Sequence, residues 1–267
     1  MGEGDHMVFL GTGGARQVVA RQLRRSAGIY LCIAGHSMLV DPGPGALVAC
    51  ADADPPVRLS ELDAVLLTHR HIDHSGDLNA VIDAMTVGGW RRRGEVFVPG
   101  DCLEGEHAVV LRYLRDFPDR IVRLEPDSSY CTGPVSFATS VRHAHGAETY
   151  GLRFRVGEMD LSLVADTAWF DELPAAYAGA DVLVVSVVLT EPARRPEIQH
   201  LSVPEAERLI GAVEPGMAVL THFGRHMLEA GPERLAQEMS ERLSRPVLAA
   251  DDGLRLDLPP RHDRSGR

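Results

Sequence analysis

The chain contains 267 residues, of which 45% are hydrophobic, and this is enough to fill the core of one layered α/β domain. All of its basic side chains other than histidine are arginines, and the formal net charge of −11 argues against binding to long nucleic acid. No uninterrupted apolar run of about 18 residues is present and the polar start is unlike a signal peptide, so we expect a cytoplasmic protein without a membrane span.

The first part of the chain alternates β-prone runs with turns. Residues 15–25 are rich in arginine and are equally consistent with a solvated loop and with the border of a functional site. Asp41 begins an Asp-Pro-Gly-Pro-Gly turn that closes the second strand of a predicted hairpin. The predicted elements are strands at 6–10, 27–33, 37–41 and 63–68, a turn at 11–14, and a helix at 76–85.

The segment from 68 to 77, Thr-His-Arg-His-Ile-Asp-His-Ser-Gly-Asp, follows a predicted buried strand and precedes a predicted helix. A loop in this position can direct several side chains toward one point. Imidazole and carboxylate groups suit zinc, manganese or iron. His69 and His71 can point to one ion, and Asp73 and His74 can turn to a second. A histidine-rich solvated loop is the alternative, but ligand-type residues recur further along the chain.

The rest of the chain predicts further strands and three helices. Ser202-Val-Pro-Glu205 is a capping box with proline in the first turn, which marks the start of one helix. Strands precede a helix in each half, and this order indicates a layered α/β protein. No linker or repeat is evident, so we predict one domain over 1–267. The predicted strands are 94–99, 121–124, 135–141, 149–156, 161–165, 181–189, 216–221, 246–248 and 253–258, and the helices are 104–115, 202–212 and 231–244.

Further ligand-type residues follow the later strands. Either His143 or His145 can reach a metal after the strand at 135–141. Asp166 ends a strand at a point where a carboxylate can bridge two metals that lie about 3.5–4 Å apart. As the N-cap of a helix, Asp166 would instead have a purely structural role. His222 follows the strand at 216–221.

These segments resemble, in order, the metal-binding motifs of the metallo-β-lactamase superfamily. The first is His-X-His-X-Asp-His at the end of a hydrophobic strand. The others are His145-Gly-Ala-Glu-Thr-Tyr-Gly, Leu163-Val-Ala-Asp166-Thr and Val219-Leu-Thr-His222-Phe-Gly. The opening Phe9-Leu-Gly-Thr-Gly-Gly, Glu-Thr-Tyr-Gly after His145, and Leu-Thr-His-Phe around His222 resemble the branch that contains ribonuclease Z and the small phosphodiesterases.

The resemblance implies an αββα four-layer sandwich and two divalent metal ions, zinc or manganese. It selects His145 rather than His143 as a ligand. It gives Asp73 a further catalytic role, to orient the attacking hydroxide or take its proton, and makes Asp41 a support for the metal loop. It also suggests His200, just before a helix, as a general acid. The implied ligands of one ion are His69, His71, His145 and Asp166, and those of the other are Asp73, His74, Asp166 and His222.

Two departures from ribonuclease Z favour a smaller substrate. His145 and Asp166 are only 21 positions apart, which leaves no room for the inserted arm with which ribonuclease Z grips tRNA. The strand at 181–189 carries Val185-Ser186 where ribonuclease Z has a His-Glu pair, so the proton relay is predicted to be shorter or different. These differences point to a small or cyclic phosphodiester as the substrate.

Other functions use the same fold and metals. A thioester, lactone or amide hydrolase is the main alternative, because fold does not determine function. Di-iron redox members of the superfamily carry glutamate at the position of His71, so this histidine disfavours that subgroup but not a mononuclear iron oxygenase.

Arg225 is a candidate contact for an anionic substrate, and Trp169 is either a wall of the pocket or a core residue. The resemblance is compatible with a homodimer.

Overall fold

The computed structural model describes residues 4–258, so Met1–Glu3 of the predicted domain and residues 259–267 lie outside the described part. The strands within that part, in chain order, are β1 (His6–Phe9), β2 (Ile29–Ile33), β3 (His36–Val40), β4 (Ala64–Leu66), β5 (Glu95–Pro99), β6 (Arg120–Leu124), β7 (Ser129–Thr132), β8 (Val135–Arg142), β9 (Tyr150–Val156), β10 (Met159–Val164), β11 (Val182–Ser186), β12 (Met217–Thr221), β13 (Val247–Ala249) and β14 (Arg255–Asp257).

The strands form two seven-stranded sheets. The first has the order β14-β1-β2-β3-β4-β5-β6, and the second has the order β13-β12-β11-β10-β9-β8-β7. Each sheet joins antiparallel hairpins to a parallel region, β3 to β6 in the first and β10 to β13 in the second. The carboxyl ends of parallel strands meet at one edge of a sheet, and this edge is where α/β proteins place functional groups.

The sheets pack face to face and the helices cover their outer surfaces. One apolar cluster combines residues of both sheets, such as Phe97 and Phe154. Two outer clusters join the first sheet to the helix Leu78–Met85 through Ile82 and the second sheet to the helix Val203–Val213 through Ile210. This arrangement confirms the predicted αββα sandwich. The helices are α1 (Ala15–Arg21), α2 (Ala46–Asp52), α3 (Ile72–Ser75), α4 (Leu78–Met85), α5 (Leu173–Ala176), α6 (Val203–Val213), α7 (Arg225–Ala230) and α8 (Pro232–Leu243).

The helix predicted at 104–115 is wrong, because the structure has only a 3₁₀ turn at Arg112–Leu114 in that segment. The guanidinium of Arg115 donates hydrogen bonds to the carbonyl oxygens of Leu103 and Val110. Asn79 on α4 donates to the carbonyl of Val109 as well. These side chains bind backbone oxygens that a helix would use internally, so tertiary contacts override local propensity.

The Arg-rich stretch at 15–25 contains α1 and is therefore not simply a loop. Its first residue, Ala15, lies at the functional edge of the molecule, because its backbone N–H contacts Asp73 at 3.1 Å. Among the residues that the structure describes, no helix is both long and apolar enough to cross a membrane.

Candidate metal centre

Strand ends from both sheets deliver the predicted ligands to one edge of the sandwich. In the first sheet, β4 leads into the loop that carries His69 and His71, and the short helix α3 follows. In the second sheet, β10 ends two residues before Asp166, and β12 ends immediately before His222. His145 lies in the connection between β8 and β9. The fold thereby gathers residues that lie far apart in sequence.

Three histidines form the first ligand group. The Nε2 atom of His69 lies 3.1 Å from Nδ1 of His71, which in turn lies 3.0 Å from Nε2 of His145. Ligand nitrogens at about 2.0–2.1 Å from one zinc ion are necessarily near neighbours of this kind. The carbonyl oxygen of Gln199 lies 3.0 Å from Nδ1 of His145 and accepts its N–H when that nitrogen carries the proton.

The second group combines Asp73, His74 and His222. The Nε2 atoms of the two histidines are 2.7 Å apart, and Asp73 Oδ2 lies 3.7 Å from His222 Nε2. His222 has a φ of 60°, in the left-handed region that most residues avoid. A Cβ on Gly14 would lie 1.9 Å from the His222 imidazole, so only glycine leaves room for this ring. The Gly-Thr-Gly-Gly turn therefore helps to shape the site.

Asp166 lies between the two groups and is 1% exposed. Its Oδ2 atom is 3.5 Å from His74 Nε2 and 3.9 Å from His69 Nε2. Its Oδ1 atom faces the other way, 3.6 Å from His222 Nδ1. The two oxygens of one carboxylate thus face histidines of both groups, as a bridging ligand requires.

The donor set fits a pair of divalent cations. Three groups of ligand atoms each lie within 4.8 Å, and they include all seven predicted ligands. Asp166 Oδ1 and His222 Nδ1 are buried and have no hydrogen-bond partner among residues 4–258, which is costly unless another species binds them. The groups are His69, His71 and His145; His69, His74 and Asp166; and Asp73, His74 and His222.

Asp41 supports the ligand loop. Its carboxylate accepts hydrogen bonds from the backbone N–H and the hydroxyl of Thr68, each at 2.7 Å. The Asp41 Oδ2 atom also lies 3.0 Å from Nδ1 of His74, which leaves Nε2 free to face the site. Asp41 has a φ of 52°, so its backbone occupies a rarely used conformation at the point where it supports the loop.

His143 does not belong to the ligand groups found among the described residues. It is buried, and its Nε2 atom lies 2.7 Å from the hydroxyl of Tyr177. Its other ring nitrogen faces the backbone carbonyl of Asp166 at 3.2 Å. The structure therefore places His145 in a candidate ligand group, whereas the ring of His143 contacts the backbone of Asp166 and the hydroxyl of Tyr177.

Burial keeps most of the ligand imidazoles neutral. It lowers the pKa of His69 well below the ordinary value, and the neighbouring His74 lowers it further. It lowers the pKa of His145 to about 4 and lowers the pKa values of His71 and His222 as well. Neutral imidazole is the form that binds metal, so these four residues need no deprotonation at pH 7.

His74 and the carboxylates behave differently. Burial opposes charge on His74, but the carboxylates of Asp166, Asp41 and Asp73 together raise its pKa well above the ordinary value. Burial also opposes charge on Asp166, yet His222 and His74 hold its pKa well below the usual range. Without a cation, protonated His74 therefore compensates the buried carboxylate charge, and metal binding has to displace its proton.

His200 lies beside the centre, whereas Arg225 lies at its periphery. The Nδ1 atom of His200 is 3.4 Å from Asp166 Oδ2, and its ring packs against the ring of His145. Arg225 begins α7, but its guanidinium pairs with Glu229 at 2.7 Å and contacts Gln17 at 3.4 Å. No contact joins Arg225 to the ligand groups within residues 4–258.

Asp252 supports the site, although no pattern in the sequence indicates this role. Its carboxylate accepts hydrogen bonds from the backbone N–H groups of Thr12 and Arg25 and from the Thr12 hydroxyl. These bonds fix the Gly-Thr-Gly-Gly turn against the His222 segment, where the N–H of Phe223 donates to the carbonyl of Thr12. No local sequence signal links Asp252 to a turn near the other end of the chain.

Comparison with known proteins agrees with this geometry. The family model described as Beta-lactamase superfamily domain matches residues 36–223. Probable metallo-hydrolase YhfI of Bacillus subtilis is 28% identical over 203 residues, covering 74% of this chain and 81% of that protein. Ribonuclease Z of Mycobacterium sp. (strain KMS) is 29% identical over 216 residues, covering 71% of this chain and 74% of that protein.

Solved structures show the same architecture. The crystal structure of YhfI superposes with a TM-score of 0.78 at 21% identity, covering 95% of this chain and 99% of the other. A diphosphatase from the PhnP family superposes with a TM-score of 0.73 at 16% identity, covering 97% and 100%. Identities this low establish a shared fold and leave the substrate open.

Proposed function

Because the chain belongs to the β-lactamase superfamily, we propose that it is a metal-dependent hydrolase that cleaves a small or cyclic phosphodiester. The observation that carries this proposal is the position of Asp166, whose two oxygens face histidines from both ligand groups. Two divalent ions, zinc or manganese, fit these groups and would supply an activated water and offset charge on phosphoryl oxygens. His69, His71 and His145 would hold one ion, Asp73, His74 and His222 the other, and Asp166 both.

Asp73 and His200 would handle the protons of the reaction. Asp73 is largely buried, and its Oδ2 atom is held by the N–H of Ala15 at 3.1 Å. This carboxylate would orient the attacking water and take its proton as the new P–O bond forms. The side chain of His200 is 20% exposed, and its Nδ1 atom lies 3.4 Å from Asp166 Oδ2. It would donate a proton to the departing oxygen as the old P–O bond breaks.

Several features support a phosphodiester as the substrate, and two of them favour a small one over a long RNA. The names ribonuclease Z and diphosphatase both denote cleavage at phosphorus. The segment between His145 and Asp166 consists mainly of β9 and β10 joined by a tight turn at Gly157, so it forms no protruding arm. The net charge of −11 also disfavours a long polyanion.

The test is to load metal-free protein with zinc or manganese, count the ions, and compare three substrates. We expect two ions per chain and hydrolysis of bis-p-nitrophenyl phosphate in preference to a thioester and a lactone. Asp73→Ala should abolish this hydrolysis. Asp63→Asn removes the charge of a carboxylate that pairs with Ser37 and Arg93 away from the centre, and it should leave the rate unchanged. Thioester or lactone turnover without diester turnover, or a single bound iron, would overturn the proposal.

A further inference from the structure

The molecule has two halves, each built on one of the two sheets. A cluster of polar contacts joins these halves beside the first ligand group. The backbone N–H of Asp101 donates to Oε2 of Glu148 at 3.1 Å, and the backbone N–H of Glu148 donates to Oδ2 of Asp101 at 3.0 Å. Arg70 Nε donates to the same Asp101 oxygen at 2.9 Å. The hydroxyl of Tyr150 donates to Oε1 of Glu148 at 2.7 Å. We refer to Arg70, Asp101, Glu148 and Tyr150 as the clasp.

The clasp is built from close sequence neighbours of metal ligands. Arg70 lies between His69 and His71 in the chain, and Glu148 lies three residues after His145. Asp101 follows β5 of the first sheet, while Tyr150 begins β9 of the second. The backbone N–H of Tyr150 also donates to the carbonyl of Thr68 at 3.2 Å. The clasp therefore spans the junction across which the first ligand group is assembled.

We propose that the clasp is a positioning device that sets the metal affinity of the first ligand group. This inference rests on the proposed metal centre, because the first group takes His69 and His71 from one half and His145 from the other. Without the clasp, the spacing of 3.0 Å between His71 Nδ1 and His145 Nε2 would lose the side-chain hydrogen bonds that join the two halves beside it. The second group is supported by other contacts, Asp41 on His74 and Ala15 on Asp73.

Glu148→Gln is the most informative change because it preserves size and removes a single acceptor. Of the two side-chain oxygens, one accepts from Tyr150 and the other from the Asp101 N–H. An amide has only one acceptor oxygen, so if that oxygen keeps the bond from the Asp101 N–H, the NH₂ group faces the Tyr150 hydroxyl, which must then accept instead of donate. Glu148→Gln therefore removes the negative charge that strengthens these hydrogen bonds and reverses the one to Tyr150, while the bond from the Glu148 N–H to Asp101 and the strands on either side stay intact.

The experiment measures zinc affinity at each group separately by competition with a chelator. A His222→Ala background reports the first group, and a His145→Ala background reports the second. Adding Glu148→Gln should weaken zinc binding about 10- to 100-fold in the first background, the range typical of groups that orient metal ligands. In the second background we expect less than about a threefold change, because the contacts that support the second group, Asp41 on His74 and Ala15 on Asp73, do not involve the clasp.

A matched control removes a different contact between the halves. His36 Nε2 on β3 lies 2.8 Å from the hydroxyl of Thr132 on β7, in a part of the interface without metal ligands. Thr132→Val should lower thermal stability and leave both zinc affinities unchanged. Asp101→Asn provides a second clasp variant in case Glu148→Gln folds poorly. Equal weakening in both backgrounds, no weakening in the first, or no zinc bound by the first group would overturn the inference.

Discussion

The two halves of the molecule build the metal centre in different ways. The first half supplies four ligands from a single loop, where His69 to His74 are held by Thr68 and Asp41 on adjoining strand ends. The second half supplies His145, Asp166 and His222 from three separate connections in the sheet. The four ligands of the loop are close together in the sequence itself. The three ligands of the second half come together only when the sheet has formed. Substitution of His145 or His222 in the second half should therefore affect one ion position each, whereas substitution of Asp166 should affect both.

The largest effect is expected for Asp166→Ala, because this side chain faces both groups. We expect fewer than two bound ions per chain and a fall in kcat/KM for the diester of at least about a thousandfold, in the upper range for loss of one electrostatic contact in an active site. Elemental analysis and steady-state kinetics measure these quantities. Asp160→Ala is the control, since Asp160 lies on the same strand β10 and pairs with Arg155 on the surface. Two tightly bound ions in Asp166→Ala would contradict the bridging role.

The next largest effect is expected for His200→Ala, which should retain both ions but lose the proton donor. General acid catalysis typically contributes about 10²–10⁴-fold to a rate. The loss should be large for a diester with an alkoxide leaving group and small for one with a nitrophenolate, because nitrophenolate departs without a proton. His226→Ala, an exposed histidine on α7, should leave both rates unchanged. An equal loss on both substrates would indicate that His200 binds substrate or metal instead.

The difference between the halves also determines what the sequence could predict. The layered α/β class and the loop ligands followed from strand periodicity and from a dense local motif, whereas the αββα sandwich was implied by the resemblance to a family. His145, Asp166 and His222 could be chosen only through resemblance to a family, because nothing in their local sequence excludes His143 or an N-cap role for Asp166. The structure then shows which side chains actually face one another.

Features that depend on contacts distant in sequence were missed. The helix predicted at 104–115 does not form, because the side chains of Arg115 and Asn79 donate hydrogen bonds to the backbone carbonyls of this segment. The local sequence around these two residues does not indicate this role. Asp252 supports a turn near the start of the chain, and Asp101 pairs with Glu148 across the sheets. Such pairs carry no periodicity, so a single sequence does not contain a signal for them.

A smaller effect should come from Gly14→Ala, which tests the second-half ligand His222. A Cβ at this position would overlap the His222 ring, so the ring must move and zinc affinity at the second group should fall about 10-fold or more, by the loss of ligand orientation. Gly146→Ala is a matched control beside His145, because its Cβ would meet only Gln199 at an ordinary 3.5 Å. The same competition assay distinguishes the two variants. Equal zinc affinity in Gly14→Ala and the wild type would show that His222 is not a ligand.

The smallest effect concerns His36, which contacts Thr132 across the halves away from the metal centre. Burial lowers the pKa of His36 from its ordinary value of 6.5, and Asp63 and Glu95 only partly offset this. The folded state therefore holds the proton less tightly than the unfolded state. It follows that the His36 contribution is fully present above about pH 6.5 and declines as the pH falls through the folded-state pKa.

Urea unfolding of wild type and His36→Gln at about pH 7.5 and about pH 5.5 measures this contribution. On acidification, the free energy of unfolding should fall more for the wild type than for the variant. Uptake of a single proton limits the difference to about 1.4 kcal/mol per pH unit. The histidines of the metal centre titrate in both proteins, so their contributions cancel when the two changes in the free energy of unfolding are subtracted. Zinc affinity should be the same in both, since His36 touches no ligand. A change in zinc affinity would show that contacts far from the metal centre also determine its geometry. The distinction between ligands held by their own loop and ligands brought together by the sheet would then not hold.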